Sequence, residues 1–551
     1  MCGASGRAAH RRAARSRRDA RPMTSRVARD VFAVARSPRA TRGTSRRRAR
    51  WGDATTSKTR RPRTRARRDA ASSADHDALH EWLSANGADV ASVEFYDARA
   101  GDEDDGGDAG WGARATRALA RGAKAIVVPK SLWITPEVGM NDDELGKALR
   151  DEDVAGGLAR WTTLALTLLK ERERGEESKY AAYVKTLPEV LHSPLFWNAE
   201  ELSEIQGTQL LDNAAGYDGY VRGVYETLRT GMFAKHADVF DVEGAFSEDN
   251  FRWAFGILRS RTMAPCDGAN IALVPGVDLV NHSSLSQARW RVSGGVAGAV
   301  AGLFGGGKGD DGVSARVECD RALNVNEPLY VNYNPEGTDT SFALDFGFVD
   351  TITPSPGYAL SLSVPEDDPN VFDKLDVLDV CGLGETPTFT LRAYSDPDPD
   401  LRTFLRLLNC KNQDAFLLEA LFRQQCWSLI SEPLSRENEA DCCASMTDGV
   451  AAALSAYASR TLDEEKAYLM SPPSARRAAA GDDERARVRK DVAVRVRLAE
   501  KSTLIETASF FDVIASGLDG MEYYQERRLR SLNLLDEDGS STYDPFDETM
   551  A

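Results

Sequence analysis

The sequence predicts an α+β protein in which a helical block separates two β-rich pieces and a second helical domain follows. Three observations predict it. From about residue 140 to 262 apolar residues recur at helical spacing: Leu158, Trp161, Leu164, Ala165, Leu168 and Leu169, then Tyr180, Tyr183, Val184 and Leu187. Strand-like runs flank that block, at 90–96 and 125–128 before it and at 271–280, 314–319 and 329–333 after it. From Leu401 to about Leu532 the apolar faces are helical again, with Phe404, Leu407 and Leu408, then Phe416, Leu417 and Leu421, then Val492, Val496, Leu504 and Phe510.

In chain order, the first feature is a division of charge. Residues 1–70 carry 23 Lys/Arg against four Asp, a balance of +19, whereas the rest carries 46 Lys/Arg against 81 Asp/Glu, or −35. The leader is Arg-rich, contains Ser, Thr and Ala, and lacks Glu, the composition of an organellar transit peptide; the competing reading is a basic arm for nucleic acid. The acidic remainder excludes nucleic acid as its partner, because phosphate contact needs clustered cations. No run of about 18 apolar residues occurs, so no membrane span is expected. Residues 76–86 read as a short amphipathic helix, 102–108 as an acidic Gly loop, and 251–263 as the helix that closes the helical block. The Gly-rich stretch 293–312 reads as a surface loop, 353–369 and 395–400 as Pro/Asp-rich linkers, 471–484 as a loop, and 536–551 as a tail. The cations Arg485, Arg487, Arg489, Lys490, Arg495, Arg497 and Lys501 read as a solvated helix face, or else as a docking surface for an acidic partner.

Eight cysteines are scattered without a C-x-x-C pair, so no metal site is expected and a reducing interior is. "GWGARA" (110–115) fits a dinucleotide fingerprint, but no doubly wound array follows it. "GLFGGGKG" (302–309) lacks the final hydroxyl residue of a phosphate loop. A stronger pattern is spread along the chain. "SRTM" (260–263), "DLVNHS" (278–283) and "EPLYVNYNPEGTDTSFALDFGFVD" (327–350) bring an Asn-His pair to the end of one apolar run, and Tyr333 to the end of another about 50 residues on.

This set resembles the SET-domain methyltransferases. "GTQLLD" (207–212), "WAFGILRSR" (253–261), "DAFLLEALFR" (414–423) and "EYYQERRLRSLNLL" (522–535) narrow the resemblance to the plant Rubisco large-subunit lysine methyltransferases, over roughly residues 75–540. The resemblance implies a SET domain of small β-sheets with knot-like threading, in two parts (71–145 and 256–352) around a helical insert (146–255). An all-α substrate-binding domain follows at 365–535. It implies methyl transfer from S-adenosyl-L-methionine, without a metal, to a lysine amine of a chloroplast protein in the stroma. The Rubisco large subunit leads as substrate and chloroplast aldolase follows, with 1–70 as the transit peptide. Three other readings compete: a SET-like module that binds a partner without turnover, a histidine-directed enzyme of the same fold, and a nuclear chromatin methyltransferase.

The same resemblance assigns the site. The backbone of Ala109, Gly110 and Trp111 and the pair Asn281-His282 would hold the cofactor. Arg261 would pair with its carboxylate through a guanidinium fork. Tyr333 would be the catalytic residue, orienting amine and methyl rather than acting as a base, since a tyrosine's reference pKa is about 10. Ser260, Met263, Asp278 and Phe346 would line the channel for the target side chain. Phe346 stands where the family usually has Tyr, and Met263 where an aromatic is common, so the substrate is less defined than the chemistry.

Overall fold

A computed structural model of the chain describes residues 72–98, 110–154, 158–266, 270–293, 312–457 and 460–534. The basic leader, the acidic Gly loop with Ala109, most of the Gly-rich insertion and the tail lie outside these residues.

Helix α1 (Ser73–Ala85) starts at a capping box: the Ser72 side chain accepts from the Asp75 N–H and the Asp75 side chain from that of Ser72. It buries Leu79 and Leu83 against the sheets that follow. Strands β1 (Val93–Asp97) and β2 (Trp111–Ala115) pair antiparallel, Phe95 opposite Ala113. Strand β3 (Lys124–Pro129) enters a separate sheet. The helical block contains α2 (Arg160–Arg174), the one-turn α3 (Ala181–Val184), α4 (Gln209–Leu228) and α5 (Glu248–Arg261). Helix α5 has Glu248 and Asp249 in its first turn and Arg259 and Arg261 in its last, complementing the helix dipole at both ends. Its Phe251, Phe255, Ile257 and Leu258 are buried in the same core as the sheets, so the helical block is not a satellite but part of one hydrophobic unit.

Beyond α5, β4 (Met263–Cys266) and β5 (Asn270–Ala272) form a hairpin, and β6 (Asn281–His282) is two residues long. The apolar run 271–280 is therefore not one strand. Pro275-Gly276 breaks it: Gly276 takes a φ of +83°, a conformation that costs an L side chain but not glycine. The run's side chains are still buried, because Val274, Val277, Leu279 and Val280 point inward from a turn. Strands β7 (Trp290–Ser293) and β8 (Ser314–Glu318) join β3 in the order β3-β8-β7. Strand β9 (Pro328–Val331) completes a four-stranded sheet of order β1-β2-β9-β6. Its pairing with β2 is antiparallel and with β6 parallel, Asn281 opposite Tyr330 and His282 opposite Val331. Helix α6 (Asp339–Phe346) follows.

The C-terminal part has its own core, helical except for the antiparallel pair of β10 (Gly357–Ser361) and β11 (Thr388–Arg392). The 353–369 segment is thus not a linker; Tyr358, Leu360, Leu362 and Val364 are buried there, alternating as a half-buried strand must. Helices α7 (Pro399–Leu408) and α8 (Arg436–Leu454) carry the core, and α9 (Pro473–Ala479) occupies the segment expected to be a loop. The 33-residue helix α10 (Glu484–Ser516) spans both parts: Val492, Ala493 and Val496 pack with Trp197, Ile205, Ala343 and Leu344.

Most of the basic series on α10 is not a solvated face: Arg485 is exposed, but Arg487, Arg489, Arg497 and Lys501 are buried. Arg497, 1% exposed, donates to Glu465 at 2.8 Å and to the Glu204 carbonyl; Lys501 reaches Glu465 at 3.1 Å; Arg489 reaches Glu201 at 2.6 Å. Buried cations persist only when paired, so Arg489 and Arg497 join α10 to the helical block before α4, while Lys501 and Arg497 tie it to Glu465 in the C-terminal part. Spacing along one helix cannot reveal this, because the carboxylates come from other elements: Glu201 and Glu204 lie some 290 positions away in the chain, and Glu465 some 30 to 40.

Candidate functional site

The short parallel pairing of β6 with β9 brings together residues 50 positions apart. Ser283 N–H donates to the Val331 carbonyl at 3.0 Å, and Tyr333 N–H donates to His282 Nδ1 at 3.1 Å. Because Nδ1 accepts, the neutral ring carries its proton on Nε2, which lies 3.0 Å from Ser284 Oγ. Burial pulls the His282 pKa down, opposed by the nearby Asp350 carboxylate. Asp350 is itself held low by hydrogen bonds from Ser284, Ile352 and Thr353, which offset its own burial.

The Tyr333 hydroxyl donates to the Val280 carbonyl at 3.0 Å. Its pKa is pushed up to about 12, chiefly by burial, with Arg261 lowering it and Asp278 raising it. It is a hydrogen-bonding phenol near neutrality, not a proton acceptor. Around it stand the rings of His282 (centroids 5.1 Å apart), Phe346 (4.8 Å) and Phe348 (6.5 Å). Aromatic faces of this kind attract cations.

Strand β2 supplies the facing wall. The G-W-G segment lies at the start of this strand, not in a loop before a helix, which removes the dinucleotide-fingerprint reading. A Cβ on Gly112 would come 2.6 Å from Asn281 Nδ2, so only glycine lets the Asn281 amide approach this backbone. Trp111 stacks flat on His76 of α1, centroids 3.6 Å apart and planes 9° from parallel. Trp111 Nε1 and His76 Nε2 are both buried without a hydrogen-bond partner among the described residues.

Arg261 ends α5 with its side chain 21% exposed. Nη1 donates to the Asp278 carbonyl at 3.2 Å and to Asp278 Oδ2 at 3.1 Å, while Nε and Nη2 make no hydrogen bond among the described residues. The Asp278 carboxylate, 1% exposed, also receives the Tyr183 hydroxyl at 2.8 Å and the Gly276 N–H at 3.2 Å. Its side chain is turned inward. Ser260 returns its hydroxyl to the Gly256 and Ile257 carbonyls, and Met263 is buried at the start of β4. Thus Tyr333, Asn281, His282, Gly110, Trp111 and Arg261 sit on elements that meet, and Phe346 lies against Tyr333. Tyr183, Ser284, Asp350 and His76 were not found from the sequence. Tyr183 sits on an apolar helical stripe, and its O–H is indistinguishable there from a core aromatic.

Comparison with known proteins agrees with this geometry. Residues 365–504 match the family described as Rubisco LSMT substrate-binding. The chain is 33% identical over 430 residues (78% of this chain, 82% of the relative) to the chloroplastic Rubisco large subunit N-methyltransferase of Nicotiana tabacum. It is 32% identical over 433 residues (78% and 83%) to the chloroplastic fructose-bisphosphate aldolase-lysine N-methyltransferase of Arabidopsis thaliana. Among solved structures, the SET domain of LSMT bound to lysine and AdoHcy superposes with a TM-score of 0.69 at 29% identity, covering 85% of this chain and 97% of that one. Rubisco LSMT bound to AdoMet superposes at 0.67 with 28% identity, covering 84% and 97%. With superposition on a SET-domain structure, a helical C-terminal unit and one-third identity across most of its length, the chain belongs to the family of SET-domain lysine N-methyltransferases that includes the Rubisco large-subunit enzymes.

Proposed function

We propose that this protein methylates a lysine side chain of a chloroplast protein, with S-adenosyl-L-methionine as donor. The Rubisco large subunit is the first substrate to test and chloroplast fructose-bisphosphate aldolase the second, since these are the targets named for the two relatives. The observation that carries the reading is the junction of Asn281-His282 with Tyr333. A protein that only binds a partner has no physical need for a buried tyrosine hydroxyl set between an Asn-His pair and an arginine.

The residues fit the cofactor. Arg261 keeps the Nε and Nη2 edge of its guanidinium unpaired among the described residues, which suits a carboxylate. Gly112 leaves room where a Cβ would fill it, and Asn281 presents its amide there. Gly110, Trp111 and Ala109 would contribute backbone groups, and His282 would hold its neighbours in place. S-adenosylmethionine supplies a methyl carbon on a positively charged sulfur, already a good leaving group. The protein's part is alignment and a site that favours loss of that charge. Tyr333 keeps its proton and orients the amine by hydrogen bonding, with Phe346, Ser260 and Met263 shaping the approach. The reading divides the chain into SET parts at 71–145 and 256–352, an insert at 146–255 and a substrate-binding domain at 365–535. It takes 1–70 as a transit peptide to the stroma; the relatives are named chloroplastic.

The test is incubation of the purified protein with methyl-labelled S-adenosylmethionine and unmodified stromal extract, followed by mapping of labelled peptides. Label on a lysine of either candidate supports the proposal. Label on a histidine moves the reading to the histidine-directed branch, and cofactor binding without label moves it to a non-catalytic module.

A further inference from the structure

Tyr183 takes no part in the mechanism above, yet its hydroxyl is a buried hydrogen-bond donor aimed at the site. It is completely buried on α3 and reaches Asp278 Oδ2 at 2.8 Å across 95 positions of sequence. Asp278 Oδ2 also accepts Arg261 Nη1, and Oδ1 accepts the Gly276 N–H, so every bond to this carboxylate fixes it from a different element. Two structural consequences follow. Arg261 is anchored by one nitrogen, Nη1, on both the carboxylate and the carbonyl of Asp278. The turn that begins at Pro275 and contains Asp278 leads into Val280, whose carbonyl receives the Tyr333 hydroxyl. We infer that Tyr183 is a positioning residue: by holding the Asp278 carboxylate it aims the free Nε/Nη2 edge of Arg261 at the carboxylate of the bound cofactor. This inference rests on the assignment of Arg261 given above.

The physical argument is one of geometry. A guanidinium recognises a carboxylate best when two parallel N–H bonds are presented in one plane. An arginine held at a single nitrogen keeps that plane only as long as its anchor stays put. The anchor here is a carboxylate with no exposed surface to speak of; without the Tyr183 donor it is left with one bond from Arg261 and one from a turn amide, and it can rotate about its own χ2. A packing role for Tyr183 would depend on the ring. A positioning role depends on the O–H, and it affects only ligands that carry a carboxylate.

The experiment compares Tyr183→Phe with the wild-type protein by titration calorimetry, using S-adenosylhomocysteine and 5′-methylthioadenosine. The second ligand has the same nucleoside thioether without the amino-acid end. The expected result is an unchanged melting temperature within a few degrees, a roughly five- to tenfold weaker Kd for S-adenosylhomocysteine, and an unchanged Kd for methylthioadenosine. Equal affinity of both proteins for S-adenosylhomocysteine, or equal weakening for both ligands, would overturn the inference. Wild-type protein that binds neither ligand would instead remove the cofactor reading, and the role of Tyr183 with it. Asp278→Glu provides a second variant should Tyr183→Phe not fold. It keeps the charge but moves the carboxylate by one methylene, and the same ligand-selective loss is expected; its absence counts against the inference equally.

Discussion

The backbone N–H of Tyr333 donates to Nδ1 of His282 at 3.1 Å, joining two residues 51 positions apart. This bond requires an unprotonated Nδ1. It therefore ties the arrangement of the site to the charge of one imidazole whose pKa burial has lowered below the ordinary 6.5.

Stability should accordingly fall in mild acid. A lowered folded-state pKa means that the unfolded chain takes up the proton first, so stability is present above pH 6.5 and is lost as pH falls below it. His282→Asn, whose amide oxygen can accept in place of Nδ1, should lose less between pH 7 and 5.5. Urea midpoints of the two proteins across that range measure the difference.

Tyr333→Phe should lower turnover by more than about 100-fold, the range seen when a single preorganised donor is removed. Affinity for S-adenosylhomocysteine should stay within about twofold of wild type. The loss in folding stability should be on the order of 1 kcal/mol, from leaving the Val280 carbonyl unpaired. Full activity in this variant would remove the assigned role.

Gly112→Ala should damage binding more than folding. The added Cβ meets the far end of the Asn281 side chain, which can swing aside without moving the backbone. Cofactor affinity should fall about tenfold, one hydrogen bond to a charged ligand group, with a melting temperature close to wild type.

Glu500 lies at the meeting of the two parts, accepting from Tyr457 at 2.6 Å, Thr340 at 2.7 Å and the Gln209 N–H at 3.1 Å. Burial raises its pKa from 4.5 to about 7 despite these three bonds. A raised carboxyl pKa stabilises the fold below pH 4.5, and that contribution drains away as pH climbs through 7. Glu500→Gln should therefore gain on wild type by on the order of 2 kcal/mol between pH 5 and 8. Paired denaturation curves at the two pH values give the result.

Arg497→Leu should cost about 3 kcal/mol, because Glu465 is fully buried and loses its nearer partner. Salt should leave the wild-type midpoint nearly unchanged over this pair, since it is out of reach of screening ions. A denaturant series at two ionic strengths checks both statements.

Much of this molecule is legible in the chain alone. Residues 160–174, 248–261 and 484–516 are helices because apolar residues recur at helical spacing, and 93–97, 124–129 and 314–318 are strands where apolar runs are short and bounded by turn residues. Asn281-His282 and Tyr333 stand out only as members of the ordered set of segments that carries the family resemblance, since alone they read as turn and strand-end residues. What the tertiary structure decided is everything that depends on partners distant in sequence. Periodicity describes one face of one element and says nothing about what that face meets. Hence the cations of α10 read as a surface, although carboxylates from 201, 204 and 465 bury them. Tyr183 likewise reads as core, although its hydroxyl closes on a carboxylate from the other side of the helical block. The parallel contact of two-residue β6 with β9 builds the site, and a pairing that short has no period of its own to be read from the sequence.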